Sequence, residues 1–213
     1  MTAEHDSSAF VSSNDKNDVD GIGVWRGLGA FSCLLSFAGI VVYLQETQEG
    51  YDWKSQFMSE LALGAQGWLM ALGFLLLALA IVFHAAAMEK MGFASSTHVI
   101  WTRCLFHGAA AAFLGAGLVN LRMDAALHIA FVLLAFILML LPLFLILRES
   151  LRPVPRVGAA LAILTVVLAL LLAKWQILEP GEGQRLCALG LLGWLAYGET
   201  LAFGIRKNRT QRP

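Results

Sequence analysis

The chain has 213 residues, of which 58% are hydrophobic and 14% are charged, and its 15 Lys and Arg residues balance its 15 Asp and Glu residues. Soluble domains carry about 25% charged residues, so this composition excludes the soluble globular class. The net charge of zero gives no general basic character, which argues against nucleic acid as a partner. The composition therefore predicts a membrane protein whose partner is membrane lipid.

The chain begins with a polar and acidic segment, residues 1–24. No basic start precedes an apolar run there, as it would in a signal peptide. Low hydrophobicity is typical of segments that stay unfolded. We expect a disordered tail over residues 1–24, a transmembrane domain over residues 25–206 and a short basic tail over residues 207–213.

Six apolar runs follow the first segment. Each approaches or exceeds the roughly 20 residues that cross a bilayer core of about 30 Å. The runs are Gly27–Leu44, Leu61–Met88, Cys104–Leu121, Ala125–Leu147, Val157–Ala173 and Leu186–Ile205. The fifth run is short, and we expect its helix to continue past Lys174, whose long side chain can reach the membrane surface. The sequence thus predicts an all-α bundle of six transmembrane helices.

Lys and Arg residues are distributed unevenly between the two sides of this predicted bundle. If the helices alternate in direction, one side holds ten of them and the other holds four, and Arg103 within a span makes up the fifteen. The ten are Lys16, Arg26, Lys90, Arg148, Arg152, Arg156, Arg206, Lys207, Arg209 and Arg212; the four are Lys54, Arg122, Lys174 and Arg185. Basic residues collect on the cytoplasmic side, so we expect a cell (inner) membrane protein with both termini in the cytoplasm.

Polar residues are concentrated on the predicted outer side. Ser59 and Glu60 precede the second run, while Asp124 and His128 are four residues apart and share a helix face. On that face the Asp124 carboxylate can hold one tautomer of the imidazole, which makes a usable general base. A hydroxyl, such a base and nearby cations are the parts of a hydrolytic or acyl-transfer site.

The predicted catalytic residues are therefore Ser59, Glu60, Asp124 and His128, with a lipid or amphiphile of the outer leaflet as substrate. Three further outer residues are predicted to bind that substrate: Tyr51, Arg122 and Arg185. Helix capping explains some of the same residues, because Ser, Asp and Glu are common at helix starts. A noncatalytic protein that binds a lipid or small molecule, or that assembles with a partner, is the alternative function.

The predicted inner half of the bundle carries Arg103 and Glu199 at similar depth, together with His84 and His107. An unpaired charge within a membrane is costly, so we expect Arg103 and Glu199 to form an ion pair between the third and sixth helices. The histidines do not form the matched pairs on facing helices that ligate haem. The three cysteines fall in separate runs without metal-ligand spacing, so no cofactor and no metal are predicted.

Several motifs along the chain are familiar. They are Tyr51, the Ser-Glu-Leu of Ser59–Leu61, Gly64, the Gly-Trp-Leu-Met of Gly67–Met70, Asp124 with His128, and Arg185 followed by Leu-Gly-Trp-Leu-Ala-Tyr-Gly. Over roughly residues 25–206 the chain resembles the prokaryotic six-helix membrane family catalogued as domain of unknown function 998. Where that family usually has a Phe-Pro-x-Asp turn, this chain reads Leu-Arg-Met-Asp. The resemblance implies a six-helix membrane fold and assigns no reaction.

Overall fold

The computed structural model describes the backbone of residues 8–87 and 95–210 and the side chains of residues 25–86 and 95–200. The described chain forms α1 (Ser8–Thr47), the short 3-10 helix η1 (Met58–Leu63), α2 (Trp68–Ala87), α3 (Ser96–Leu118), α4 (Ala125–Glu149), α5 (Pro153–Lys174) and α6 (Pro180–Thr210). The predicted all-α class is confirmed for these residues.

Within the part of the chain that the structure describes, five helices are long and apolar enough to cross a membrane, and a sixth span stays a prediction. Their candidate spans are Trp25–Thr47, Trp68–Ala86, Ser96–Leu118, Ala125–Glu149 and Pro153–Lys174. Leucine side chains on α4 and α5 face away from the bundle, with Leu133, Leu161 and Leu164 each 59–60% exposed. Large exposed apolar surfaces of this kind mark contact with lipid. The chain is a multi-pass membrane protein.

Neighbouring helices pack side by side in chain order, and the last helix closes the bundle. α1 packs on α2, α2 on α3, α3 on α4 and α5 on α6, while α4 makes fewer contacts with α5. α6 returns to contact both α1 and α2. α2 is the central helix, since 50% of its span is buried, against 22% of the span of α5. Because other helices surround α2, the polar partners of its buried side chains come from those helices.

Several predicted helix boundaries differ from those observed, including the starts of α5 at Pro153 and of α6 at Pro180. α2 begins at Trp68 rather than Leu61, because residues 58–63 form η1 and its C-cap, Gly64, is extended. α3 begins at Ser96, two turns before the predicted start, where the Ser95 hydroxyl oxygen accepts from the Thr97 N–H. α5 ends at Lys174 and does not continue past it, since Gln176 adopts a φ of 57° and turns the chain.

The predicted tails at the two ends of the chain stay predictions. α1 begins at Ser8, so residues 8–24 have helical backbone, and residues 1–7 lie outside the described part. A helix that is already formed extends at low cost, since each added residue gains one hydrogen bond. α6 likewise extends to Thr210, within the predicted basic tail.

Candidate functional site

One end of the bundle carries residues 48–67, 119–124 and 175–179, and we call it the loop end. Arg185 on α6 holds much of it together. Its Nη1 donates to the carbonyl oxygens of Gln56 at 3.2 Å and Gly181 at 3.1 Å. Its Nη2 donates to Oε1 of Gln45 at 3.1 Å and to the hydroxyl oxygen of Tyr51 at 2.6 Å. One guanidinium group thus joins α6 to α1 and to the loop.

Tyr51 lies at the centre of this contact. Its hydroxyl faces the carbonyl oxygens of Phe57 at 3.1 Å and Gln56 at 3.3 Å, and Arg185 Cζ lies 5.8 Å from the centre of its ring. Burial raises the pKa of Tyr51, and the hydrogen bond and charge of Arg185 offset only part of that effect. The phenol is therefore neutral near pH 7 and both donates and accepts. It serves as a structural link in the loop.

The loop rests directly on the first turn of α6. A Cβ at Gly181 would collide with the carbonyl oxygens of Trp53, Lys54 and Gln56, so a residue without a side chain is required there. The N–H of Glu182 donates to the Lys54 carbonyl oxygen at 3.1 Å. Loop and helix start thus form one packed unit.

Glu60 uses both carboxylate oxygens within the loop. Oε1 accepts from the Phe57 N–H at 2.9 Å, and Oε2 accepts from Nε2 of Gln56 at 3.4 Å. The first bond caps the start of η1, which agrees with helix capping as the alternative explanation of Glu60. Asp52 makes similar bonds to the Ser55 hydroxyl and the Lys54 N–H, which hold its pKa below the usual range.

Ser59 lies on the wall of a small apolar cavity. The cavity, about 40 Å³, is lined from α1, η1, α2, α3, α4 and α6. Ser59, itself 8% exposed, and Gln184 are its polar lining residues. Oε1 of Gln184 accepts from the Met58 N–H at 2.6 Å, so this contact joins η1 to α6 at the edge of the cavity. Polar groups therefore lie where the cavity meets the loop.

Asp124 and His128 do not form the predicted hydrogen bond. Asp124 is the N-cap of α4 and accepts from the Leu127 N–H at 3.0 Å. The buried ring of His128 turns instead to α3, with Nδ1 2.9 Å from the Ala116 carbonyl oxygen and 2.8 Å from that of Val119. The last carbonyls of a helix lack partners within it, so they attract this N–H donor. Nδ1 therefore carries the hydrogen.

A second and more polar cavity lies beside His128. It measures about 250 Å³ and is lined by His128, Asn120, Arg122, Trp68 and Phe74, together with small residues of 62–67, 71 and 116–117. Nη2 of Arg122 donates to the Leu63 carbonyl oxygen. Nε2 of His128 is buried without a partner among the described residues, and since Nδ1 donates, this nitrogen is a hydrogen-bond acceptor.

The predicted site residues thus separate into three groups. Tyr51, Glu60 and Arg185 belong to the loop network, Ser59 lines the apolar cavity, and His128 and Arg122 line the polar cavity, while Asp124 caps α4. Three glutamines that bind across this end were not predicted from the sequence: Gln45, Gln56 and Gln184. Glutamine is uncharged, so a search for charged residues does not find it. For Gln184 the available signal was its position next to Arg185.

At the opposite end of α2, Glu199 lies beside His84. Its Oε1 is 3.2 Å from Nδ1 of His84, and both side chains are buried, 4% and 0% exposed. The contact follows from the packing of α6 on α2, and the ion pair between Arg103 and Glu199 stays a prediction. Arg103 has an interaction of its own. His107, four residues further on, is exposed.

Comparison with known proteins places the chain in a family. No curated protein and no solved structure matches it. The model of a family described as "Protein of unknown function (DUF998)" matches residues 31–198, which is most of the chain and includes the loop network, both cavities and His84. The resemblance seen in the sequence is therefore confirmed, and the chain belongs to the DUF998 family.

Proposed function

We propose that this protein is a noncatalytic membrane component that binds an amphiphile, a lipid or small molecule with an apolar chain and a polar head, from the outer leaflet. The observation that carries the proposal is the pair of cavities on either side of Phe74, which lines both. One cavity is apolar and the other offers an imidazole acceptor and a guanidinium. Such a pair suits a ligand with two chemically different ends.

The apolar cavity supports an apolar chain as its occupant. At about 40 Å³ it has room for the end of a chain, and it is lined by Met58, Met70 and Met139. Methionine side chains adapt their shape to what they contact, so the wall can yield to a longer segment. α4 and α6 both line the cavity. α4 packs mainly on α3 and α5, so its contact with α6 is the weaker one. A chain entering from lipid would pass between these two helices.

The polar cavity supports the head group. Nε2 of His128 accepts a hydrogen bond from a hydroxyl or amine, and the guanidinium of Arg122 attracts a phosphate or carboxylate. Both residues lie near the membrane surface, at the junction of α3 and α4. A single-chain anionic lipid carries an apolar chain, a hydroxyl or amine donor, and a phosphate or carboxylate, which are the three features that the two cavities suit.

An intramembrane hydrolase or acyl-transfer enzyme is the second candidate, and the position of Ser59 on the cavity wall favours it. Such an enzyme needs a base within hydrogen-bond reach of the nucleophile. Ser59 and His128 line different cavities, and the carboxylates of Glu60 and Asp124 accept backbone N–H groups. This separation is why we favour binding over catalysis.

The proposal includes six spans, with both termini in the cytoplasm of a cell (inner) membrane protein and the loop end outside. Its support is the ten-to-four distribution of Lys and Arg and the packing of α6, which has 31 residues, against α1, α2 and α5. Reporter fusions after Pro213 and within residues 119–124 test it. A periplasmic signal from the first fusion would move both cavities to the cytoplasmic side.

A cavity-filling variant tests the binding itself. Ala188 lines the apolar cavity, so Ala188→Phe should fill it, while Ala111→Phe places the same ring on an exposed face of α3 as a control. Native mass spectrometry in detergent would measure binding of lysophosphatidylglycerol. We expect the affinity of Ala188→Phe to fall by roughly tenfold or more, with melting unchanged, and Ala111→Phe to match the wild type. Equal binding by all three proteins would reject the apolar cavity as the site.

A further inference from the structure

A buried polar cluster occupies the half of the bundle away from the loop end. His84 on α2 and Glu199 on α6 lie 3.2 Å apart, and His84 is 0% exposed. The rings of Phe106 and Trp194 contact the imidazole edge-on, with centres 5.2 Å and 6.1 Å away. Thr102 lies one turn before Phe106 on the same face of α3 and is fully buried. Three helices thus contribute to one polar layer.

Three polar atoms of this layer are buried without a partner among the described residues: Nε2 of His84, Oγ1 of Thr102 and Nε1 of Trp194. The three atoms differ from one another in whether they donate or accept a hydrogen bond. The indole N–H only donates, the hydroxyl both donates and accepts, and Nε2 does either according to its protonation. Such groups are rarely buried unsatisfied in a membrane interior without a role.

The layer is closely packed. A Cβ at Gly198 would collide with Cε1 of His84, so α6 needs a residue without a side chain where the imidazole approaches its backbone. This packing leaves little room for an organic ligand. A metal is not favoured by the donor set either, because no group of three His, Cys, Asp or Glu residues forms a ligand set in the described chain. A proton, by contrast, binds without needing any further space in this layer.

We propose that His84 and Glu199, with Thr102 and Trp194 around them, form a proton-binding site buried within the membrane domain. The pair has two forms that differ by one proton. With a neutral imidazole and an ionised carboxylate it carries one negative charge, and with one more proton it is neutral overall. The proton transfers between Nδ1 and Oε1, whose separation of 3.2 Å is a hydrogen-bond distance.

The geometry also indicates where the proton enters. Nδ1 faces Glu199, so an incoming proton reaches the imidazole at Nε2. In this structure the Thr102 hydroxyl makes no hydrogen bond to His84, so it relays a proton only after a side-chain rotation brings the two groups together. The indole N–H of Trp194 only donates, so it cannot pass a proton on. Thr102 is therefore a positioning and relay residue, and Glu199 and His84 bind the proton.

Other ionisable groups surround the site from the helices that pack near it. Arg103 is half-buried next to Thr102, and the guanidinium of Arg156 on α5 donates to the Leu147 carbonyl oxygen. The other ionisable side chains that the structure describes toward this end are Arg26 and Cys33 of α1, His98, Cys104 and His107 of α3, Arg148 and Glu149 of α4, Arg152 of α5, and Tyr197 of α6. Nδ1 of His98 lies 3.7 Å from Oε2 of Glu149, and the Tyr197 hydroxyl donates to the Val154 carbonyl oxygen.

Infrared difference spectroscopy of the full chain in lipid tests the site. Spectra taken between about pH 5 and about pH 9 bracket the range in which a histidine-linked proton exchanges. We expect the wild type to show a band for a protonated carboxyl group that disappears in Glu199→Gln and persists in Glu46→Gln, an exposed control. The midpoint should move by about 0.5 pH unit or more in Thr102→Val.

The second variant keeps the test decisive if Glu199→Gln does not fold, because Thr102→Val nearly preserves the side-chain shape. A shifted midpoint in Thr102→Val supports the site. A carboxyl band that is unchanged in every folded variant, or a wild type without a pH-dependent carboxyl band, overturns it. The result is independent of amphiphile binding, which involves the cavities at the loop end.

Discussion

The hydroxyl oxygen of Tyr51 accepts a 2.6 Å hydrogen bond from Nη2 of Arg185, and this contact fastens the loop to α6. Both residues were predicted to bind substrate. The structure shows that the guanidinium already has four oxygen partners within the protein. Arg185 therefore organises the surface beside the cavities, whereas Arg122 is a cation that lines one of the described cavities at this end.

Removing the Tyr51 hydroxyl should destabilise the protein. In Tyr51→Phe a partly buried guanidinium loses one acceptor, and hydrogen bonds to charged groups contribute about 1.5–3 kcal/mol. We expect a lower free energy of unfolding, measured by thermal denaturation in detergent. Tyr43→Phe is the matched control, since Tyr43 is exposed on α1. Equal losses in the two variants would show that the contact to Arg185 contributes little.

Tyr51 should also give the protein a characteristic response to alkaline pH. Its pKa is raised above the ordinary value of 10.0, so the folded state holds the phenol proton more tightly than the unfolded state. The resulting stability is complete below pH 10.0 and is lost as the pH rises through the higher folded-state pKa. The wild type should lose stability in this range more steeply than Tyr51→Phe. Parallel curves would contradict the pKa shift.

Asp124 offers a test that separates capping from catalysis. Asp124→Asn keeps an oxygen that accepts from the Leu127 N–H, whereas Asp124→Ala removes the cap of α4. We expect Asn to match the wild type and Ala to lose about 0.5–2 kcal/mol of stability. Amphiphile binding should follow the same order. A loss of function in Asp124→Asn with normal stability would instead require the carboxylate charge.

His128 should show a structural role at Nδ1. In His128→Ala the carbonyl oxygens of Ala116 and Val119 lose their buried donor, which should cost about 1–3 kcal/mol. His128→Gln can donate from its amide and should recover much of that stability. His107→Ala, on an exposed face of α3, is the control. If His128→Gln and His128→Ala are equally unstable, the bonds to the two carbonyls are not what holds α3 to α4.

Several parts of the fold were predictable because they depend on local composition. The start of α4 at Ala125 follows from an acidic cap before an apolar run, and the structure has that boundary. The end of α5 was not predictable, because it depends on the left-handed conformation of Gln176, a residue with no strong preference for it. Ser59 and Glu60, predicted to begin the second helix, lie instead in the separate short helix η1, which ends before Gly64.

The site was less predictable than the fold, because hydrogen-bond partners depend on which helices become neighbours. Asp124 and His128 share a helix and their spacing permits a bond, yet the N-cap and the end of α3 offer each a better partner. For Glu199 the sequence indicated Arg103 as a partner at the same depth and did not indicate His84. The contact with His84 depends on the packing of α6 on α2.

The sequence by itself determined that this is a multi-pass helical membrane protein of the DUF998 family, because bilayer crossing requires long apolar runs and these are read directly along the chain. It also predicted which polar residues lie within or next to the apolar runs. The tertiary structure decided how those residues are divided, with Arg185 in the loop network, Ser59 and His128 at different cavities, and Glu199 beside His84. The reason is that depth follows from the number of residues along a helix, whereas contact depends on helix order and rotation, which are set by packing over the whole bundle.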